Sequence, residues 1–424
     1  MDLSFFSFPN QSIAGIFWAT LFTFLAPFCT SGKRRLQPII VIIAAFPLAL
    51  LIFSGSRAGC LGIIVAGCYY FKIPVRLWLM PVIFIFLFCL FLKADSSLGR
   101  LHIYSLSIKM LGNHWQTGIG IGKFKALFNL YQADYFSRHA IDNRTALLAD
   151  DTFYAFNDGL QWIIETGIAG FAILLLVFLM VIKRIRLLHT ASPSVIISSA
   201  TAGLLCIGTA SLFSYPLHIW QIQLAALICF AILWFQKTAQ PGFMVWTARL
   251  MLLAVMVLFM NNIICTASME RLRQKTFHSL LTGNKSEAFA MYQQLTSGNC
   301  PDGHDYYVLA EQYYYRHQPE IALLTIREGL HYYCDHRCYL LKGKIEAELK
   351  RIPAAETSLC KALYMVPNRM SSRVELLNFY IGQKDTANAV YWARSILNMP
   401  VKIPSERTNI LLTETKKKLE WLQR

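Results

Sequence analysis

The stretch GLQWIIETGIAGFAILLLVFLMVI, Gly159–Ile182, contains a single ionisable residue, Glu165, and is followed at once by Lys183, Arg184 and Arg186. A helix needs about 20 consecutive apolar residues to cross the hydrocarbon of a bilayer. A cluster of lysine and arginine directly after such a run is typical of the cytoplasmic end of a span. This stretch therefore predicts a membrane-spanning helix.

Seven further runs of the chain are also apolar. Of the eight runs in total, the third and the fourth are short. Charged residues make up only 15% of the chain, against about 25% in ordinary soluble domains. We therefore predict an all-α fold whose first part is a polytopic membrane domain of about eight spans. The predicted spans are Ser12–Thr30, Leu36–Phe53, Ala58–Phe71, Leu77–Leu92, Gly159–Ile182, Ser194–Phe213, His218–Phe235 and Met244–Ile264.

Charge divides the chain into two parts. Charged residues are sparse up to Cys265, whereas the segment from Ala267 onward has the composition of a soluble helical domain. We predict a membrane domain over residues 1–265 and a water-facing domain over residues 266–424. The net charge of +16 does not indicate a nucleic-acid partner, because many of the basic residues lie in short loops that orient the spans.

Basic loops alternate with less basic ones, and by the positive-inside rule the basic set is cytoplasmic. The basic set is Lys33–Arg35, Lys72–Arg76, Lys183–Arg186 and Lys237 with nearby Arg249. The long loop at residues 93–156 and the C-terminal domain are then expected on the outer side. There, four cysteines either form up to two disulfides or pack as buried thiols: Cys300, Cys334, Cys338 and Cys360.

The C-terminal domain contains a repeat of about 34 residues, the period of tetratricopeptide helix pairs. Its members begin near Asn284, Pro319, Pro353 and Asp385. Small residues at Ala322, Ala355 and Ala389 are suited to close helix packing. We predict an α-solenoid of tetratricopeptide-like repeats that holds a protein partner or an acceptor near the membrane, the alternative being a stabilising lid with no partner.

Few polar residues lie where membrane chemistry would need them. Arg57 and Ser56, in SGSRAG, stand at the outer end of a span, where a guanidinium and nearby serines are suited to binding an anion. The alternative for Arg57 is an arginine that sets the depth of the span. Asn157 is either a site residue or a helix N-cap. His218 near the same plane is either catalytic or structural. No metal-ligand spacing is present.

Four motifs, in this order, resemble the O-antigen ligase family within the Wzy-like ligase/polymerase superfamily of membrane glycosyltransferases. They are FPNQSIAG at residues 8–15, SGSRAG at 54–59, GR at 99–100 followed by TGIGIGKF at 117–124, and N-x9-G-x-x-G at 157–170. The similarity covers Ser7 to about Phe235. It is strongest to Bacteroidetes-type members that carry a C-terminal tetratricopeptide domain.

The resemblance implies a GT-C-like core in a bacterial cytoplasmic (inner) membrane, with the long loop and the C-terminal domain in the periplasm. It implies transfer of a glycan from a polyprenyl-diphosphate carrier to a glycan, lipid or protein acceptor, without a metal or other cofactor. Two family arginines hold the diphosphate and match Arg57 and Arg100. Fixed guanidinium groups would stabilise the negative charge that builds on the leaving diphosphate.

Two departures from the family pattern matter. The family has a His-Asn pair where this chain has Phe156 and Asn157, so the general base is expected to be His218, His139 or Asp158. The FPNQSIAG motif normally follows several earlier spans, so the chain is expected to be N-terminally short. Alternatives to a ligase are a polysaccharide polymerase of the same superfamily and a non-catalytic membrane-anchored scaffold. A transporter is disfavoured, because the spans have almost no ionisable residues at mid-membrane.

Overall fold

The apolar runs form α-helices wherever the structure, a computed structural model, describes them. The described residues are 8–31, 37–74, 77, 94–141, 144–191, 194–236, 243–298, 302–401 and 404–423, and within them every regular element is helical. The contacts divide the chain into two compact units. The first is Met1–Ala94, Trp115–Gly118 and Tyr154–Ile263, and the second is Asp95–His114, Ile119–Phe153 and Ile264–Arg424.

The first unit contains the apolar helices. They are α1 (Gln11–Ser31), α2 (Gln37–Ser54), α3 (Arg57–Tyr70), α7 (Asp158–Ala191), α8 (Val195–Ser211), α9 (Trp220–Phe235) and the start of α10 (Phe243–Leu281). Among the described residues, four helices are long and apolar enough to cross a membrane, namely Gln11–Thr30, Gln37–Ser54, Asp158–Thr190 and Val245–Leu281. Three apolar helices, α3, α8 and α9, are shorter. The predicted span Leu77–Leu92 lies almost wholly outside the described residues.

Helix α7 is bent at Gly167, whereas the apolar run predicts an uninterrupted span. Gly167 has φ 66° and ψ −155°, a conformation that is essentially restricted to glycine. The bend releases the amide of Ile168 from the helical ladder, and this amide donates to the carbonyl oxygen of Trp115 at 2.9 Å. Residues 158–166 therefore form a short helix that is distinct from the long apolar helix after Gly167.

The second unit combines helices of the long loop with the C-terminal helices. The loop provides α4 (Ala94–His114), α5 (Phe124–Ser137) and α6 (Arg144–Leu148). The C-terminal part provides α11 (Lys285–Ser297), α12 (Gly303–Tyr315), α13 (Pro319–Gly329), α14 (His336–Glu348), α15 (Ile352–Met365), α16 (Met370–Gly382), α17 (Thr386–Asn398) and α18 (Glu406–Leu422). Consecutive helices pack as pairs, and the predicted packing alanines Ala322, Ala355 and Ala389 are all fully buried.

The turn that joins the two helices of each pair has the same backbone conformation in all four pairs. The second residue after each first helix has positive φ: Gly283 (80°), His317 (55°), Lys350 (59°) and Lys384 (59°). The amide of the next residue donates back to a carbonyl five residues earlier in all four turns, as from Arg351 to Glu346 at 2.8 Å. These are Schellman C-caps. Three of the four place a side chain where glycine is the unstrained choice.

Lys350→Gly is expected to raise the free energy of unfolding of the second unit by about 1 kcal/mol, since it removes the left-handed strain of a side chain. Lys361→Gly, in the interior of α15, is the matched control and is expected to lower the same free energy by about 1 kcal/mol. Denaturant unfolding of the full chain measures both. A loss of stability in Lys350→Gly comparable to that in the control would contradict the C-cap assignment.

Polar side chains of the loop donate to backbone carbonyl groups of the C-terminal part of the chain. The amide of Asn129, a fully buried residue, donates to the Cys334 oxygen at 2.7 Å, and that of Gln132 donates to the Met365 oxygen at 2.5 Å. In return, Asn368 donates to the Ala149 oxygen at 2.5 Å. Hydrogen bonds between buried groups are costly to lose. The loop is therefore an integral part of the second unit.

Three of the four C-terminal cysteines that the sequence singles out are thiols. Cys334 and Cys338 are buried, Cys360 is partly buried, and all three are free. Burial raises the pKa of Cys334 and Cys338 well above the usual range of a thiol, so both are expected to be unreactive. Cys300 lies outside the described residues. Cys265, at the start of the second unit, is disulfide-bonded.

Candidate functional site

The turn between α2 and α3 carries Arg57 at the first position of a helix. Ser56 is the N-cap of α3, and its hydroxyl oxygen accepts from the Gly59 amide at 3.3 Å. Gly55 before it has φ 60°, with open space where a side chain would be. Ser56 is fully buried, while Arg57 is half-buried. An arginine at a helix N-terminus combines a guanidinium with the positive end of the helix dipole, which favours an anion.

The first two sequence motifs pack directly against each other. A Cβ atom at Gly15, the last residue of FPNQSIAG, would collide with the side chains of Ser54 and Ser56. A Cβ atom at Gly59 would meet the Gly15 carbonyl oxygen at 3.1 Å. Glycine is therefore required at position 15 for this approach, and position 59 leaves little room for a side chain. The contact fixes the turn that carries Arg57 onto the start of α1.

His218 is held by a buried carboxylate. Its Nδ1 lies 3.0 Å from Oδ1 of Asp158, and the two side chains are 32% and 5% exposed. The other carboxylate oxygen, Oδ2, accepts from the Leu217 amide at 2.9 Å. His218 ends the short 3₁₀ turn Pro216–His218. Asp158 therefore orients both the imidazole and the turn that carries it.

The hydrogen bonds around Gln161 fix the tautomer of His218. The Gln161 side-chain oxygen accepts from the Ala155 amide at 3.0 Å, so its nitrogen faces Nε2 of His218 at 3.0 Å. That nitrogen can only donate, and Nε2 must therefore accept with its lone pair. The ring proton is then on Nδ1, pointing at Asp158. A neutral imidazole whose Nε2 carries the lone pair is the form of histidine that accepts a proton there, once the Gln161 amide gives way.

Three polar residues of the short helix lie on one face. Asp158, Gln161 and Glu165 follow a spacing of three and four residues, which places them in line along a helix. The Gln161 amide also donates to Oε1 of Glu165 at 3.3 Å. All three are largely buried. The bend at Gly167 ends this face and separates it from the apolar part of α7.

Aromatic residues connect His218 to the start of α1. Tyr154 stacks on Tyr215 with ring centroids 4.1 Å apart, and its ring edge meets His218 at 5.0 Å. The amide of Asn10, in FPNQSIAG, donates to the Tyr215 hydroxyl at 2.7 Å. Tyr215 also shares a hydrophobic cluster with Ala58, the neighbour of Arg57. The Arg57 turn and the His218 turn are thus attached to one core.

Asn157 is the N-cap of the short helix, which is one of the two roles that the sequence predicts for it. Its side-chain oxygen accepts from the Leu160 amide at 2.9 Å, the bond expected of an N-cap. The preceding residue, Phe156, has φ 53° and packs edge-on against Tyr215 at 5.4 Å. Phe156, the residue that the resemblance aligns with a histidine, is therefore held in an aromatic contact.

The glycine motifs of the loop and of α7 also meet. A Cβ atom at Gly118 would collide with the backbone of Glu165, and one at Gly167 would collide with the Gln116 oxygen and the Gly118 nitrogen. Residues 115–118 therefore lie against the bend. The contact joins TGIGIGKF to the N-x9-G-x-x-G segment. Glycines in both motifs allow the two backbones to approach closely.

The remaining predicted residues lie in the second unit. Arg100 is half-buried on α4, and its expected partnership with Arg57 stays a prediction. His139, two residues after the end of α5, stacks on Tyr135 at 4.0 Å, and its Nδ1 lies 2.7 Å from the Tyr135 backbone oxygen in the last turn of that helix. Among the histidines proposed as a base, His218 is the one that a buried carboxylate orients. Within the described residues no group of three histidine, cysteine or acidic side chains is placed to hold a metal ion.

Sequence reasoning names His218 and Asp158 separately as bases but misses Gln161, Glu165 and Tyr154. The spacing of three and four residues between Asp158, Gln161 and Glu165 does indicate that these side chains share one face of a helix. Searches against protein-family models, curated proteins and solved structures find no match to this chain.

Proposed function

We propose that the protein is a membrane glycosyltransferase of the O-antigen ligase type. It transfers a glycan from a polyprenyl-diphosphate carrier to a glycan, lipid or protein acceptor at the outer side of a bacterial cytoplasmic membrane, without a metal. The observation that supports this most is the imidazole of His218, fixed as a base by Asp158 and attached to the same core as the Arg57 turn. A base and an anion-binding turn are the two parts that this transfer needs.

The proposed reaction displaces polyprenyl diphosphate from the anomeric carbon of the glycan. The acceptor hydroxyl oxygen attacks the anomeric carbon of the glycan, and its proton passes to Nε2 of His218. The bond between the anomeric carbon and the diphosphate oxygen breaks, and the bonding electrons leave with polyprenyl diphosphate. Arg57 and the N-terminus of α3 stabilise that charge, and the family resemblance predicts Arg100 for the same task. Asp158 stabilises the imidazolium that forms, and Gln161 yields its place on Nε2 to the acceptor.

The number and orientation of the spans are part of the proposal. Eight spans place the turns of Arg57 and His218 on the outer side, and the basic residues after Ile182 on the cytoplasmic side. The C-terminal helix pairs are tetratricopeptide-like: their first helices begin at Gly303, His336 and Met370, intervals of 33 and 34 residues, which agrees with that repeat. Their contact with the long loop supports a role in presenting an acceptor or partner to the membrane site.

A polymerase of the same superfamily would use the same donor site, and a scaffold would use none. Deletion of the gene in its native host, followed by gel analysis of surface glycans, separates the three. A ligase leaves full-length polymer on the lipid carrier, whereas a polymerase leaves single-repeat glycans. Unchanged glycans together with the loss of an envelope complex would replace the proposal with the scaffold.

Arg57→Lys is expected to lower the transfer rate about tenfold, because an ammonium keeps the charge but loses one hydrogen bond of the guanidinium fork. The rate is measured in the deletion host complemented with each variant at equal protein level. Arg186→Gln, which removes a solvent-exposed arginine near the C-terminal end of α7, is the control and should transfer at the wild-type rate. Equal rates for Arg57→Lys, Arg57→Ala and wild type would exclude Arg57 from donor binding.

A further inference from the structure

Two arginines converge on the C-terminal end of α9, away from the site described above. Arg184 donates from Nε to the Leu233 oxygen at 2.9 Å and from Nη2 to the Gln236 oxygen at 2.9 Å. Arg249 donates from Nε to the Trp234 oxygen at 2.8 Å and from Nη2 to the Gln236 oxygen at 3.4 Å. The two guanidinium groups therefore share one set of helix-terminal carbonyls.

The positive charge at this point exceeds what the protein supplies to balance it. A helix C-terminus contributes about half a negative charge, whereas the two guanidinium groups contribute two positive charges. The sequence has no aspartate or glutamate between Asp2 and Asp95 or between Glu165 and Glu270. Among the described residues neither arginine forms an ion pair, as the salt bridges found there involve other side chains.

One donor at this end is buried without a partner. Arg184 is 5% exposed, and its Nη1 has no hydrogen-bond acceptor within the described part of the chain. A buried, unpartnered N–H on a charged group is costly, so such a group usually has a ligand. A phosphate oxygen is the acceptor that a guanidinium binds best.

The surroundings favour a lipid over a free ion. Trp246 is 55% exposed and Phe235 is 46% exposed, and the Arg249 guanidinium lies 5.2 Å and 5.7 Å from their ring centres. Exposed aromatic rings beside a charged group are typical of the membrane interface. They form an apolar surface on which acyl chains can pack while the phosphate meets the arginines.

We infer that Arg184 and Arg249, at the C-terminal end of α9, bind the phosphate of an anionic phospholipid whose acyl chains lie against Phe235 and Trp246. Basic clusters at the cytoplasmic ends of membrane helices are established binding points for such headgroups. The lipid supplies the missing counter-charge and holds α7, α9 and α10 together at this end. The inference does not depend on the proposed transfer activity.

The test uses the purified full chain, delipidated and reconstituted into vesicles of phosphatidylethanolamine with increasing phosphatidylglycerol. Bound phosphatidylglycerol per chain and the midpoint of thermal unfolding are measured together. Arg249→Gln is expected to weaken phosphatidylglycerol binding about fivefold, as one lost arginine contact implies. Arg186→Gln removes the same charge from an exposed position nearby and is expected to leave binding unchanged.

Four outcomes would overturn the inference. Equal losses in Arg249→Gln and Arg186→Gln would mean that only the general surface charge attracts the lipid. Equal stabilisation by phosphatidylethanolamine alone, or by inorganic phosphate in detergent, would mean that no anionic lipid is bound. If Arg249→Gln does not fold, Trp246→Ala serves as the second variant, since it keeps both arginines and should weaken lipid binding without affecting any response to phosphate. Wild-type lipid binding in Trp246→Ala would then contradict the site.

Discussion

Replacing His218 with alanine is expected to lower the rate of glycan transfer by about 10²–10⁴-fold, the usual contribution of a positioned general base. The reason is structural: Nε2 of His218 has its lone pair available because Nδ1 holds the proton against Asp158 at 3.0 Å. Transfer is measured in the deletion host and, with purified chain, as labelled glycan joined to acceptor. Folding is checked by the thermal unfolding midpoint.

His139→Ala is the matched control and should leave the rate unchanged, because this histidine is bonded to the backbone oxygen of Tyr135 and no buried carboxylate orients it. Asp158→Asn tests the positioning role separately. It should lower the rate, since the carboxylate no longer fixes the tautomer that leaves Nε2 as the acceptor. A wild-type rate in His218→Ala would remove the base from the proposed step. A low rate in His139→Ala would move the base to the second unit.

Gly167→Ala is expected to destabilise the first unit by about 3 kcal/mol, the upper end for a residue forced into a glycine-only conformation. Alanine cannot adopt φ 66° and ψ −155° without strain, and its Cβ atom would press on the Gln116 oxygen and the Gly118 nitrogen. The thermal unfolding midpoint of the detergent-solubilised chain measures the loss, and transfer should fall with it.

Gly159→Ala is the control on the same helix. An added Cβ atom there meets only ordinary contacts, the nearest being the Asn157 side-chain oxygen at 3.4 Å. We expect a change of less than about 1 kcal/mol, of the size of a helix-propensity effect. An unfolding midpoint of Gly167→Ala equal to that of Gly159→Ala would mean that α7 passes through position 167 without the bend.

Local sequence predicts the helices well, because each apolar run satisfies its own backbone hydrogen bonds. The run after Gly167 is an example, since its composition alone requires a long apolar helix. The bend itself is not predictable in this way. It depends on the Trp115 carbonyl, 53 residues earlier, accepting the Ile168 amide. The glycine indicates only that a close contact exists there.

The candidate site is predictable residue by residue but not as an assembly. The turn at His218 and the acid Asp158 are each visible in the sequence, yet they are 60 positions apart. Their contact is set by packing of Tyr154 and Tyr215, for which no periodic pattern exists. The loop is similar: Asn129 and Gln132 look like ordinary polar residues of a helix. Only the fold shows that they cap buried carbonyls of Cys334 and Met365.

The proposed chemistry is tested most directly by the release of polyprenyl diphosphate from a lipid-linked glycan. The purified full chain is placed in vesicles with donor, acceptor and a metal chelator, and both products are quantified. We predict one polyprenyl diphosphate released for each glycan transferred, with loss of both signals in Arg57→Ala. Release by Arg57→Ala at the wild-type rate would contradict the account, as would wild-type chain that transfers only when a divalent metal is restored.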